Sequence, residues 1–439
     1  MFDYIKLDEG TFRLFVCVII LFVFWLLMIS RKKTTFSFNI VMVYVTIGFV
    51  SAILFYCLSQ NQWYYFESSD INYEPLLYLI FLFIILVLPF CFIDTSIINK
   101  INDNGISSYL NLLATIIFIL SILPSIDGLI KLSSLNYSTI VNAYEGENDR
   151  GSFLFYYSNQ IRNYFKFFIS PLLFYYLYKG PAYNKYVKYM AFSLFTTMLL
   201  AITGGGRGTL VNELNYLVIC YILFKHVLNY GIKKRIKRIG VFVGICAIIG
   251  LMIITFARGN FNTNTASNQD KEDLITWISL YLGQGPLEFS RQMYPSTVRT
   301  EGDNSFSLMK TIMGMKTFKD NDARREYWEG KQTIQNFIFY TVIGDIYSDL
   351  GFGYTILFCL FISLILGLYF YKTRHKPLTI QKIVIISIYF EWITMGFMNN
   401  CYKTYYQQFF ILVTLLILLF LSLKQKGIKS NYTNLKGYD

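Results

Sequence analysis

The side chains best equipped for chemistry are arginines set beside glycines. Arg207 stands in Thr203-Gly204-Gly205-Gly206-Arg207-Gly208-Thr209, directly after the apolar run from Met190 to Ile202. A cation at the end of a membrane helix is costly unless it has a partner or a task. Gly205, Gly206 and Gly208 carry no Cβ, so backbone there can approach whatever Arg207 faces. A guanidinium is a planar fork that matches phosphate or carboxylate. Arg258 repeats the arrangement in Phe256-Ala257-Arg258-Gly259-Asn260, and Arg150 does so in Asn148-Asp149-Arg150-Gly151. Arg291 and Arg299 follow in the same stretch of chain. Two arginines at helix ends could converge on one anion. The plainer account is a topology or packing arginine whose stem snorkels toward the headgroups. Arg324 and Arg325 read as a solvated face.

Acidic residues offer a second set. Asp345 and Asp349 flank Tyr347 in Gly344-Asp345-Ile346-Tyr347-Ser348-Asp349-Leu350-Gly351. Four residues apart, both carboxylates share one helix face. Either could take the proton of a sugar hydroxyl or orient an arginine; Asp349 could equally cap a helix. Glu213 lies with Asn212 and Asn215 at the outer end of a helix, where it could pair with Arg207 or another outer arginine. Glu391, in Tyr389-Phe390-Glu391-Trp392, needs a partner inside the bundle. The two histidines, His226 and His375, both fall on the expected inner side, so neither serves as an outer base. The outer side has no acidic pair of the metal-holding kind. No phosphate-cradling glycine-lysine motif is present.

These residues must be positioned by membrane helices. Only 15% of the 439 residues are charged and 54% are hydrophobic, where a soluble chain carries about a quarter charged. The apolar runs predict helices over 12–30, 38–58, 76–93, 106–123, 162–178, 190–203, 209–227, 239–257, 351–371, 380–398 and 405–423. About 20 residues suffice to cross a bilayer, so an all-α polytopic protein with about 11 crossings (10 to 12) is expected, folded as a single membrane domain over 1–439. Clusters such as Lys233, Lys234, Arg235, Lys237 and Arg238, or Lys372, Arg374 and Lys376, fall on one side if the N-terminus is outside and the C-terminus inside. The start, Met-Phe-Asp-Tyr-Ile-Lys, has no cleavable leader pattern, so the first helix reads as retained. The net charge of +12 follows those loops and does not point to nucleic acid. The seven cysteines have no metal-like spacing, and no disulfide is expected. Many of the 36 tyrosines and 41 phenylalanines suit the interfacial belt; a sugar-stacking surface is the second account of them.

Two long outer loops are expected, over 124–161 and 258–350, the second just before the last three helices. A loop of that length is usually functional or disordered. Its apolar stretches, 274–282 and 336–346, predict short helices at the outer interface, with a turn at Gly283-Gln284-Gly285-Pro286. Segments 262–273 and 299–304 read as flexible.

With Gly-Gly-Arg-Gly at 205–208, Arg-Gly at 258–259, Tyr-Leu-Gly-Gln-Gly-Pro at 281–286 and Tyr-Ser-Asp-Leu-Gly-Phe-Gly at 347–353, the chain resembles the Wzy-type oligosaccharide repeat-unit polymerases that build bacterial O-antigen and capsule. The resemblance runs the whole length through helix count and the late outer loop. It implies a GT-C-like fold in the cytoplasmic membrane and a metal-independent glycosyl transfer. A growing glycan passes from undecaprenyl diphosphate to a lipid-linked repeat unit. A flippase and a chain-length regulator would be its companions. Arg207, Arg258 and Arg291 would stabilise the departing diphosphate. Asp345 or Asp349 would position the acceptor hydroxyl, with Arg150, Glu213, Tyr281 and Tyr347 lining the substrate. The related O-antigen ligases use an outer-loop histidine, which this chain lacks. A lipid-linked oligosaccharide flippase, or a non-catalytic partner of a glycan synthase, is the competing class.

Overall fold

A computed structural model describes residues 8–58, 65–95, 100–103, 105–133, 153–204, 207–240, 274–315, 317–318, 321–329, 331 and 340–435. In chain order its helices are α1 (Glu9–Ser30), α2 (Phe36–Leu58), α3 (Tyr73–Val87), α4 (Ser107–Ser133), α5 (Phe153–Asn163), α6 (Lys166–Lys179), α7 (Asn184–Thr203) and α8 (Arg207–Phe224). They continue with α9 (Leu274–Glu288), α10 (Ser307–Ile312), α11 (Asn321–Glu329), α12 (Val342–Thr373), α13 (Ile380–Met395) and α14 (Tyr405–Leu435). The described residues hold no strand, only an isolated bridge between Ile101 and Leu378.

Among the described residues, seven helices are long and apolar enough to cross a membrane: α1, α2, Tyr73–Phe92, α4, Pro181–Thr203, α12 and Tyr405–Gln425. The protein is therefore an all-helical polytopic membrane protein. The expected helix over 239–257 lies outside the described residues. Several boundaries differ from the sequence reading. The helix expected to end at 123 runs through Pro124 to Ser133; the apolar residues Ile126, Leu129 and Ile130 continue beyond it, on the exposed side. The helix expected over 351–371 begins earlier, at Val342. The helix expected over 162–178 is two pieces, α5 and α6, parted at Tyr164 and Phe165. Part of the expected loop over 124–161 is thus helical at both ends.

The chain groups into two compact units, one of residues 1–97, 270–376 and 389–408, the other of 98–269, 377–388 and 409–439. In the first unit α9 lies along α2 and α12 lies along α3. The α2–α9 contact is close because Gly283 has no side chain. A Cβ there would stand 2.3 Å from the Ser51 carbonyl oxygen and 2.4 Å from the Ala52 nitrogen. Small residues at such a contact let backbones meet. Gly285 does the same against the Phe397 carbonyl, at 2.5 Å. The Gly-Gln-Gly-Pro motif is therefore helix, not the expected turn: α9 continues through Pro286 to Glu288. Its glycines serve packing. Gly283→Ala is expected to cost on the order of 3 kcal/mol by overpacking, read as a lower thermal midpoint in detergent. Gly208→Ala, where a Cβ meets nothing within 4 Å, should leave that midpoint unchanged.

The second unit packs α4 against α5 and α7, and α6 against α7 and α8. Tyr216 donates to the Phe167 carbonyl at 2.9 Å, fastening α8 to α6. Asp103 accepts from Tyr175 Oη at 2.8 Å and pairs with Lys179 Nζ at 2.6 Å.

Candidate functional site

The first unit carries a dense polar centre where α12 begins. Thr341 caps that helix, its hydroxyl accepting from the Gly344 N–H at 2.9 Å. The helix runs to Leu350 and then breaks at Gly351, whose φ of +74° only glycine adopts without strain. A Cβ on Gly351 would also stand 2.9 Å from Arg299 Nε. Asp345, Tyr347, Ser348 and Asp349 all lie on this short first segment and all are buried.

Asp349 organises the segment before α10. Its Oδ1 accepts from Thr300 Oγ1 at 2.5 Å and from the Gly302 and Asn304 N–H groups at 3.1 Å each. Its Oδ2 accepts from the Ser305 N–H at 2.6 Å. Three backbone donors and one hydroxyl thus converge on a single carboxylate, as in an anion-binding nest. The wrapping needs two consecutive left-handed residues, Glu301 at φ +52° and Gly302 at φ +88°. Residues 299–304 read as flexible from sequence; instead they are held by an acid some 45 positions away in the chain. Nor does Asp349 cap a helix, a role Thr341 fills.

Asp345, one turn earlier, has a different environment. It is 2% exposed, yet its Oδ2 has no hydrogen-bond partner among the described residues. Lys403 Nζ stands 4.0 Å away, within ion-pair reach but beyond hydrogen-bond distance. Arg324 is near enough for its charge to act on the same carboxylate. A buried acceptor left open is uncommon in folded proteins and invites a functional account.

Cations line this region. Arg324 was expected on a solvated face; it is 9% exposed and donates to the Asp303 carbonyl at 3.1 Å and to Asn304 Oδ1 at 3.0 Å. Lys310 pairs with Asp303 at 2.5 Å, and Trp328 Nε1 donates to the other Asp303 oxygen at 3.1 Å. Glu391 finds the partner its sequence position requires, accepting from Tyr402 Oη at 2.5 Å.

The arginines divide. Arg291 is engaged by Glu288, which is fully buried: Nη2 donates to Oε1 at 2.7 Å and Nε to Oε2 at 3.2 Å. Its Nη1 donates to the Tyr65 carbonyl at 3.0 Å, and the guanidinium covers the Phe66 ring at 4.4 Å. A forked pair of this kind neutralises the charge expected for a leaving diphosphate. The role carried by these contacts is to anchor the end of α9 on the segment before α3. Arg291→Ala is expected to strand the Glu288 carboxylate and to lower stability by about 3 kcal/mol or more. The double variant with Glu288→Gln should recover part of that loss, measured by thermal unfolding. Arg299, by contrast, lies over the Tyr347 ring at 4.8 Å and donates to the Ser296 carbonyl at 2.9 Å.

Of the remaining expected site residues, Arg150, Gly205, Gly206 and Arg258 lie outside the described residues. Arg207 opens α8, and of it only the backbone is described. Gly208 sits in the first turn of α8 with open space around it. Glu213 belongs to the second unit, where the charges of Lys166 and Arg162 act on it. Arg162 is 3% exposed and donates to Thr197 Oγ1 at 2.7 Å. Tyr281 is half-buried in α9. Tyr347 is buried in an aromatic cluster, stacked 5.5 Å from Tyr294 and donating to the Tyr294 carbonyl at 3.0 Å; a sugar-stacking face is not what it presents. The segment brings Asp345 and Asp349 together with Lys403, Arg324 and Lys310, which sequence reasoning did not select. No spacing signal links them, because three separate stretches of chain supply them.

The chain matches no family model, no curated protein and no solved structure in comparisons with each. The fold and the site therefore stand on their own geometry.

Proposed function

We propose that the protein is a membrane glycosyltransferase that joins lipid-linked repeat units into a polysaccharide on the outer face of a bacterial cytoplasmic membrane. The single observation that carries this reading is the buried Asp345 carboxylate with one oxygen left open, set among Lys403 and Arg324 on a helical membrane frame. In the reaction, a hydroxyl of the incoming lipid-linked unit attacks C1 of the growing glycan. The C1–O bond to undecaprenyl diphosphate breaks, and the diphosphate leaves with the bonding pair. Asp345 takes the hydroxyl proton, a role that contributes typically 10²- to 10⁴-fold. Cations near the reacting centre stabilise charge that develops on the leaving oxygen. Arg207 and Arg258 keep the role of anion ligands that the sequence suggests for them; Arg291 does not, because Glu288 occupies its fork.

The test is direct. Purified protein incubated with undecaprenyl-diphosphate-linked repeat units should yield a ladder of joined units and free undecaprenyl diphosphate. Arg207→Ala and Arg258→Ala should shorten or abolish the ladder. Transport of the lipid-linked unit across vesicles with no joining would overturn the reading in favour of a flippase.

A further inference from the structure

Beside the Asp349-bound segment lies an open hollow of about 420 Å³ in the first unit. Its walls combine two kinds of group. Arg299, Lys310 and Lys331 supply positive charge, and Tyr327 and Trp328 supply aromatic faces. Glu301 and Asp303 complete the polar rim. The charges are not equivalent. Lys310 and Asp303 are buried and saturate one another at 2.5 Å. That leaves Arg299 and the exposed Lys331 against Glu301, an excess of cation at the open side.

The aromatic wall is held in place. Trp328 is pinned by its Nε1 hydrogen bond to Asp303. Tyr327 meets Trp328 edge-on with ring centroids 5.1 Å apart, and Phe318 at 5.0 Å. Tyr327 remains 39% exposed, and Lys331 Nζ sits 3.6 Å from its ring centroid. A cation over one face of a part-exposed aromatic ring suits a ligand that brings an anionic edge to the cation and an apolar face to the ring's other side. Glu301 adds an exposed acceptor, held at a left-handed φ that an L residue rarely adopts. Aromatic face, acceptor and cation together describe a pyranose ring bearing a carboxylate.

We propose that this hollow is a binding subsite for an acidic sugar, the ring against Tyr327, hydroxyls toward Glu301 and the carboxylate at Lys331 and Arg299. The inference deepens the glycan-joining reading by naming a substrate class, and rests on it for biological meaning, but its test needs no turnover. The full-length protein in detergent is titrated with a tetrasaccharide of galacturonic acid, with maltotetraose and with inorganic phosphate, followed by calorimetry and saturation-transfer NMR. The acidic tetrasaccharide should bind, weaken with rising ionic strength, and bind about tenfold more weakly to Lys331→Ala and to Tyr327→Ala. Equal binding of maltotetraose, no binding of the acidic probe, or indifference to both substitutions overturns the proposal. Inorganic phosphate displacing the acidic probe at equal concentration also overturns it, because the hollow would then recognise phosphate and not a sugar. A ladder formed without acidic-sugar binding removes this subsite and leaves the polymerase reading intact. Acidic-sugar binding without any ladder does the reverse.

Discussion

Asp345→Asn should abolish glycan joining while leaving the fold unchanged. The two side chains have the same shape, and an amide nitrogen at the position of Oδ2, which makes no hydrogen bond within the described residues, breaks none. Lys403, at 4.0 Å, loses an ion-pair partner but no hydrogen bond. The expected result is a fall in polymer formation of about 10²- to 10⁴-fold with an unchanged thermal midpoint. The lipid-linked ladder assay reads the first quantity and differential scanning in detergent the second. A variant that unfolds would show that Asp345 holds the helix start together. A stable variant with full activity would remove the base from the mechanism.

Asp349→Asn should behave in the opposite way. Four donors converge on this carboxylate. An amide presents one oxygen and one NH₂, so at least one donor, from Thr300, Gly302, Asn304 or Ser305, faces another donor. Hydrogen bonds to a charged group contribute about 1.5–3 kcal/mol each, and the left-handed pair at Glu301 and Gly302 loses the acceptor that holds it. The variant should therefore lose about 3 kcal/mol or more of stability. Limited proteolysis should cut first within residues 296–306, and activity should fall with the fold. Side by side, the two asparagine variants separate a reacting carboxylate from a scaffolding one. Equal stability loss in both would mean that the two acids share one structural role.

The contrast between these neighbours shows what the sequence could and could not reveal. Spacing by four residues places both acids on one face of α12, and that much is correct. It cannot say which is sequestered, because Asp349's ligands come from residues 300–305, a stretch whose polar, glycine-containing composition looks unstructured. Composition alone ignores an acceptor supplied from elsewhere in the chain. The apolar runs of α1, α2 and α3 were legible because about 20 residues must cover one bilayer thickness. The ends of α4 and the division of α5 from α6 were not, since burial and packing decide whether a helix tolerates Pro124 or parts at Tyr164. Gly283 and Gly285 carried a true signal of close backbone approach, but glycine serves turns and helix contacts alike. Arg291 looked like a ligand for an anion, and it is one; the anion is Glu288, three residues earlier at the end of α9. Arg324 looked solvated because charge is normally exposed; it is buried with hydrogen bonds to the Asp303 carbonyl and the Asn304 side chain, which composition does not show.

The Asp349 nest is made almost wholly from main-chain donors. Such an attachment is indifferent to the side chains at the loop tip, except for the Thr300 hydroxyl and the glycine at 302. Under the proposed sugar subsite, a lineage could therefore exchange Glu301, or the neighbouring Arg299, and retune which monomer is accepted without rebuilding the scaffold beneath. A glycan-joining enzyme of the proposed kind, under selection to change its product, would find in this loop a place to vary.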